Sequence, residues 1–410
     1  MQGPRRRVAP LALALLALLG GADRAAAAEL PPAPELPARA WVLVDAADAE
    51  ALAAQRQSGS FPIASTTKLM TAYVARRGLG LSEVVVAPAY PASPAESLLG
   101  LVEGERIEVR DLLYGLLLAS GNDAAAALAQ AAAGSEEQFV ARMNTAAARL
   151  GLDDTSYANP VGLDEAGNFS SARDLADLAI KLRADPLFRE IFDSPVATLS
   201  SGAQTRQVIN RNDLVRTVPY VNGVKTGYTL GAGNVLVASA TRDGITLVSA
   251  VLGAASEPER DAATLELFDY GFSLYEERTA LRGGEQLAAP EVRLQGERVG
   301  LVAEHDLELT IRRGQRLATA VDAPVEVEGP IERGQQLGAV VVSVDGETVA
   351  RVALEASRAV AAASLLQRLD GVVPGPRAVL WLVAVLALAL IVFAAIAIHR
   401  RGRRSSRALA

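Results

Sequence analysis

The 410-residue chain contains no cysteine, only two histidines, and three lysines against 37 arginines. Without cysteine there is no disulfide, no thiol nucleophile and no thiolate zinc site. The histidines, His305 and His399, come late. No Ser-His-Asp triad and no histidine-ligated zinc can therefore be built within residues 29–300. Hydrolytic chemistry in that stretch needs a different base, and lysine is singled out by its scarcity. Arg keeps its proton, with a pKa above about 12, whereas a lysine amine can be made to lose it. Two of the three lysines sit in short motifs, Ser65-Thr66-Thr67-Lys68 and Lys225-Thr226-Gly227. The third, Lys181, lies in Ile180-Lys181-Leu182 and reads as an ordinary solvated helix residue.

The ends of the chain predict an extracytoplasmic, membrane-held protein. Arg5-Arg6-Arg7, the apolar stretch Val8 to Gly20 and the small-residue run Ala25 to Ala28 read as a secretory signal peptide over residues 1–28. Residues 378–398 carry no charge and match the roughly 20 residues a transmembrane helix needs. Arg400, Arg401, Arg403, Arg404 and Arg407 follow, placing the tail 399–410 in the cytoplasm by the positive-inside rule. The formal charge is −7, but both ends are basic, so the remainder carries −15. An acidic ectodomain argues against nucleic acid as a partner.

After a Pro-rich linker, Trp41 to Val44 reads as a buried strand. Leu69, Met70 and Ala72 continue as a helix beyond Ser65. Asp111 to Ala119 is an apolar helix that stops at Ser120-Gly121-Asn122, and a second begins with Asn122 or Asp123 as N-cap. Val235 to Ala240 and Ile245 to Val251 are strands joined around Asp243-Gly244, a hairpin signal. Glu259 to Tyr275 reads as a closing helix. Strands at both ends of a helical middle predict one α/β domain, residues 29–275, whose sheet pairs its first and last strands. From about Arg282 alternation at period two, as in Leu307/Leu309/Ile311 and around Asp345-Gly346, predicts a small all-β domain within residues 276–370. Ala356 to Leu369 reads as an amphipathic helix leading to the membrane.

Ser65 and Lys68, three apart at a helix start, share a face, so a neutral Lys68 can take the Ser65 proton. Burial, the helix dipole and a second cation such as Lys225 would each lower its pKa. Ser120-Gly121-Asn122 falls between two apolar helices, where Ser120 can relay a proton and the Asn122 amide can hold a substrate amide. Lys225-Thr226-Gly227-Tyr228 predicts a strand along which a peptide can lie, Gly227 allowing its approach, while Lys225 and Thr226 meet an anionic group. In this order and spacing the three motifs arise by chance on the order of once in a thousand chains.

The three motifs resemble those of the penicillin-recognising serine acyl-enzymes. The wording Pro62-Ile63-Ala64-Ser65-Thr66-Thr67-Lys68-Leu69-Met70, Ser120-Gly121-Asn122-Asp123-Ala124, Asn159-Pro160-Val161-Gly162-Leu163 and Val224-Lys225-Thr226-Gly227-Tyr228-Thr229 is similar to that of the low-molecular-mass penicillin-binding proteins, serine-type D-alanyl-D-alanine carboxypeptidases. The resemblance covers roughly residues 36–365. It implies a β-lactamase/transpeptidase-like catalytic domain with an antiparallel sheet flanked by helices, then a small all-β domain and a membrane anchor. It further implies Ser65 as acyl-ester nucleophile, Lys68 as proton acceptor and Ser120 as relay, with Lys225 and Thr226 on the substrate carboxylate. The oxyanion hole would be the N–H groups of Ser65 and Tyr228. Arg211, in Asn210-Arg211-Asn212, and Arg260 fall at cleft positions; Arg260 is a candidate for the carboxylate or an exposed helix arginine.

The implied activity removes terminal D-Ala from peptidoglycan pentapeptide stems without a cofactor or metal, with β-lactams as inhibitors. A β-lactamase is the second enzymatic reading, weakened because no Glu-x-x-Leu-Asn element lies between Ser120 and Lys225. A membrane sensor acylated by β-lactams is the third, and the 12-residue tail is short for a signalling domain.

Overall fold

A computed structural model of the chain describes residues 30–365, 367–368 and 376–405. The signal-peptide reading of residues 1–28 lies outside the described residues. Residues 40–254 build a five-stranded antiparallel sheet whose spatial order is Ala51–Gln55, Ala40–Asp45, Ile245–Ala254, Gly233–Arg242, Val221–Thr229. The first strand pairs with the last, as the sequence predicts, with Val42 opposite Ala250.

Both faces of this sheet are buried, which explains why its central strands read as continuous apolar runs rather than alternating ones. Val42, Val44, Val235, Val237, Val248 and Ala250 enter one core with the helical middle of the chain. The intervening Trp41, Leu43, Leu236, Leu247 and Val251 enter a second core with Leu267 and Phe268 of the closing helix. The helices are α1 Lys68–Gly78, α2 Val109–Leu117, α3 Asn122–Ala133, α4 Glu136–Leu150, α5 Ala172–Arg183, α6 Pro186–Asp193, α7 Leu214–Thr217 and α8 Glu257–Ser273. Ser135, Ser171, Asp185 and Ser256 cap α4, α5, α6 and α8 by accepting from backbone N–H groups of the first turn. The hairpin between the last two strands turns through Asp243 and Gly244, both at positive φ (50° and 81°), the left-handed pair that a two-residue primed turn requires.

Several boundaries differ from the sequence reading. The N-cap of α3 is Gly121, and Asn122 and Asp123 are its first helical residues, because their side chains are engaged by a neighbouring loop instead. The closing helix runs two residues earlier at each end, and Tyr275 opens a strand paired with Leu307–Arg312. Ala356 ends a strand rather than starting a helix, since it pairs with Leu301, and Val360 still bridges to Ile331.

From Tyr275 to Val360 the chain is all-β. A five-stranded sheet of Gln286–Ala288, Leu301–Ala303, Glu347–Ala356, Gln336–Val344 and Leu317–Asp322 packs Leu301, Val340, Val342, Val352 and Leu354 into its own core. Arg312, on the separate strand pair Tyr275–Leu281 and Leu307–Arg312, ties this β-rich part to the α/β part through Glu50 (2.6 Å) and Asp48, beside the Tyr275 hydroxyl donating to Asp45 at 2.6 Å. One further helix, Pro376–Ser405, contains the segment Leu380–Ile398, which is long and apolar enough to cross a membrane.

Candidate active site

The Val221–Thr229 strand is the outer strand of the sheet, so one of its edges is unpaired. The turn that carries Ser65 lies against it. Residues Ala64–Thr67 form a 3-10 turn leading into α1, and at three residues per turn the side chains of Ser65 and Lys68 eclipse. Lys68 Nζ lies 3.0 Å from Ser65 Oγ and donates to the Val161 carbonyl at 2.6 Å.

That carbonyl is held in place by its own loop. Asn159 Oδ1 accepts from the N–H groups of Val161, Gly162 and Leu163, and Thr71 Oγ1 of α1 donates to Pro160 O at 2.6 Å. Gly162 has φ +92°, and a Cβ there would sit 2.0 Å from the Ala64 carbonyl oxygen, so only glycine fits. Gly227 has a related reason. A Cβ on it would come within 3.0 Å of both Ala64 Cβ and the Ser65 nitrogen. From sequence this glycine is expected to allow the approach of a peptide; its observed contact is with the turn that carries Ser65.

Ser120 sits between α2 and α3 at φ +63°, a left-handed conformation uncommon for a residue with a side chain. Its hydroxyl meets Lys225 Nζ at 3.0 Å, and Lys225 also donates to its neighbour's carbonyl, Thr226 O, at 3.0 Å. Two lysine–serine pairs thus line up, with both lysines buried at 0% and 1% exposure. Burial is the largest cause of the fall in the Lys68 pKa from 10.5 to about 7; Glu96 raises it, Arg211 lowers it and Asp123 raises it. Lys225 is pushed well below its usual value, by burial first and then by Lys68, Arg211 and Arg260. The cation acting on Lys68 is therefore Arg211, because Lys225 is itself driven towards the neutral form.

A cleft of about 830 Å³ brings together Ser65, Ser120, Arg211, Thr226, Gly227, Tyr228 and Arg260. Lys68 and Lys225 lie beneath its floor. Asn122 is buried beside it, at 4% exposure, its Nδ2 donating to Glu96 Oε2 at 2.7 Å. Arg260 is not an exposed helix residue: it is 2% exposed and bonds Asp261 at 2.9 Å, which occupies part of its guanidinium. Arg211 is exposed and anchored by its Nε donating to Ala119 O at 2.9 Å. Sequence reasoning missed the Val161 carbonyl and Glu96. The Asn-Pro-Val-Gly run signals the first as a tight turn, whereas nothing in a single sequence marks the second.

A serine hydroxyl against a buried amine of lowered pKa, at the free edge of a sheet and in a histidine-free domain, defines a lysine-assisted serine acyl-transfer enzyme. Residues 26–256 match the D-alanyl-D-alanine carboxypeptidase family, Peptidase_S11, and residues 275–362 match the penicillin-binding protein 5 C-terminal domain. The chain is 31% identical over 323 residues to D-alanyl-D-alanine carboxypeptidase DacF of Bacillus subtilis, covering 76% of this chain and 83% of that relative. It is 33% identical over 337 residues to DacA of Escherichia coli K12, covering 78% and 83%. Among solved structures, penicillin binding protein 5 of Haemophilus influenzae is similar at 29% identity and a TM-score of 0.58, over 81% of this chain and 99% of that one. The chain belongs to the D-alanyl-D-alanine carboxypeptidase family. It is a low-molecular-mass penicillin-binding protein, a serine peptidase of a family that acts on peptidoglycan stem peptides and binds β-lactams. The family favours the carboxypeptidase over the β-lactamase reading.

Proposed function

We propose that Ser65 is the nucleophile that removes the terminal D-Ala from a pentapeptide stem, with Lys68 as its base. The contact of Lys68 Nζ with Ser65 Oγ at 3.0 Å, in a pocket that favours the neutral amine, carries this reading. Ser65 Oγ attacks the carbonyl carbon of the penultimate D-Ala as its proton passes to Lys68 Nζ. The oxyanion forms between the N–H groups of Ser65 and Tyr228. When the C–N bond breaks, the proton taken up by Lys68 passes through Ser120, held by Lys225, to the departing amine, and Lys68 is neutral again. Water then attacks the ester carbonyl, giving up its proton to Lys68, and Ser65 recovers its own as it leaves.

The stem lies along the free edge of the Val221–Thr229 strand, with its terminal carboxylate on Thr226, Lys225 and Arg211, and Arg260 below. Asn122 holds a backbone amide on the acyl side. No cofactor or metal enters this scheme. Leu380–Ile398 anchors the chain in the cell membrane with the catalytic domain on the extracytoplasmic face and the arginine tail inside. A chain ending at residue 365 should then leave the membrane fraction and stay active.

The test is D-Ala release from a D-Ala-D-Ala pentapeptide together with labelling by a fluorescent penicillin. Wild type should release D-Ala steadily and be labelled once, at Ser65, and Ser65→Ala should do neither. Fast penicillin turnover would point to a β-lactamase, and stable labelling without D-Ala release to a sensor.

A further inference from the structure

Glu96 belongs to none of the three motifs. It lies in the long loop between the short strands Val84–Val86 and Arg106–Glu108, half-buried beside the cleft. Its Oε2 accepts from Tyr90 Oη at 2.5 Å and from Asn122 Nδ2 at 2.7 Å, and its Oε1 accepts from the Ser93 N–H at 2.9 Å. The same loop takes the Asn122 main chain, whose N–H donates to Ser97 O at 2.8 Å. The next residue, Asp123, accepts from the N–H groups of Leu99, Gly100 and Leu101. The loop is thus moulded on the start of α3, and Glu96 is its contact with the Asn122 side chain.

An asparagine amide has an oxygen end and a nitrogen end of almost equal size, and which end faces a partner is decided by hydrogen bonding. A carboxylate only accepts. Beside Glu96 the amide must present Nδ2, because Oδ1 there would set two acceptors against each other. One amide hydrogen is spent on Glu96, and the Tyr90 hydroxyl is also within reach of Nδ2; Oδ1 accepts no hydrogen bond among the described residues and stays available to a ligand. Three donors outweigh the burial that would otherwise raise the Glu96 carboxyl, and they hold it at about 2, so the acceptor is ionised at every working pH.

We propose that Glu96 is a positioning residue for the carboxypeptidase reaction: it locks the Asn122 carboxamide in one orientation, so that Asn122 meets a backbone amide of the stem peptide. This rests on the reading of Asn122 given above. Glu96 also contributes a negative charge near Lys68, which is faced by Asp123 from α3, by Arg211 and by Lys225.

The experiment is a double-mutant cycle on the full-length chain in detergent, with Glu96→Ala, Asn122→Ala, the double variant and Glu96→Gln. The readouts are kcat/KM for D-Ala release across pH 5–9 and acylation of Ser65 by benzylpenicillin. Glu96→Ala and Asn122→Ala should each cost about tenfold in kcat/KM, the scale of one charge-assisted contact, while Glu96→Ala adds less than about twofold in the Asn122→Ala background. Glu96→Gln keeps an oxygen acceptor for Nδ2 and should recover most of that loss. Having lost the negative charge, it should also shift the acid limb of the profile to lower pH. Losses that multiply in the double variant, or an unchanged kcat/KM in Glu96→Ala, would overturn the proposal. Should Glu96→Ala fail to fold, Glu96→Met, of similar size and without an acceptor, takes its place in the cycle, and an unchanged kcat/KM or a loss that multiplies with that of Asn122→Ala would overturn the proposal. Absence of Ser65 acylation in wild type would overturn the reading of the site itself and this proposal with it.

Discussion

The pH profile of kcat/KM tests the lysine-base mechanism most directly. An ordinary lysine, with a pKa of 10.5, is neutral in about 0.03% of molecules at pH 7. The buried Lys68, at about 7, is neutral in roughly half. Desolvation therefore raises the competent fraction by about three orders of magnitude, comparable to what a positioned general base contributes. For D-Ala release from a pentapeptide, kcat/KM should fall tenfold per pH unit below an acid limb near pH 7. The limb belongs to the Lys68–Lys225 pair rather than to one amine, since the two interact. Lys68→Arg supplies charge and length without an accessible neutral form, and should lose at least about 10³-fold at pH 8. Arg211→Met removes a charge that lowers the Lys68 pKa, so its limb should move to higher pH. A wild-type limb below pH 5, or a folded Lys68→Arg enzyme keeping more than about a tenth of wild-type activity, would refute the mechanism.

Three further outcomes concern stability. Lys68 has a folded pKa below its unfolded one, so between about pH 7 and 10.5 the unfolded chain binds a proton that the native chain does not, and native stability rises with pH. At about 1.4 kcal/mol per pH unit over this window, the stability of Lys68→Met relative to wild type should rise by roughly 5 kcal/mol from pH 11 to pH 6, starting from a level lowered by the Val161 carbonyl it leaves unpaired; a Tm difference flat with pH would contradict this. Gly162→Ala combines a positive φ with a Cβ 2.0 Å from Ala64 O. It should lower the Tm by the equivalent of about 3 kcal/mol or more and slow penicillin acylation by displacing the turn that carries Ser65. Arg206 and Glu105 form a buried bidentate pair at 2.7 and 2.8 Å. Arg206→Met strands that carboxylate and should cost about 3–5 kcal/mol in urea unfolding.

The outline of the fold was legible because both of its periodic signals are strong. Continuous runs such as Val235 to Ala240 mark strands covered on two faces, and Asp243-Gly244 marks their turn. The small domain was legible as β, but its strand ends were not: Ala356 has the same local propensity in a helix-like Ala-rich run, and only pairing with Leu301 keeps it in the sheet. Helix caps failed for a similar reason. Asn122 and Asp123 are good caps locally, yet tertiary donors and acceptors from the 96–101 loop claim both side chains. Arg260 read equally well as a surface or a cleft residue because burial of a helical arginine depends on segments distant in sequence, here those of Arg211 and Thr226, which share its cleft.

The two lysines separate along the same line between local and tertiary information. Ser65 and Lys68 are three apart, so their contact follows from helix geometry and could be read directly. Lys225 lies 105 residues from Ser120, and the sequence suggested for it a plain cation's task. Its burial changes that assignment: both amines are driven towards the neutral form, and in the proposed binding mode a carboxylate at Thr226 would favour a proton on Lys225. A charged Lys225 in turn disfavours charge on Lys68, because interacting sites titrate together. Recognition of the terminal carboxylate and readiness of the base are then one equilibrium. An arginine at position 225, permanently charged, would hold the carboxylate but could not couple the two.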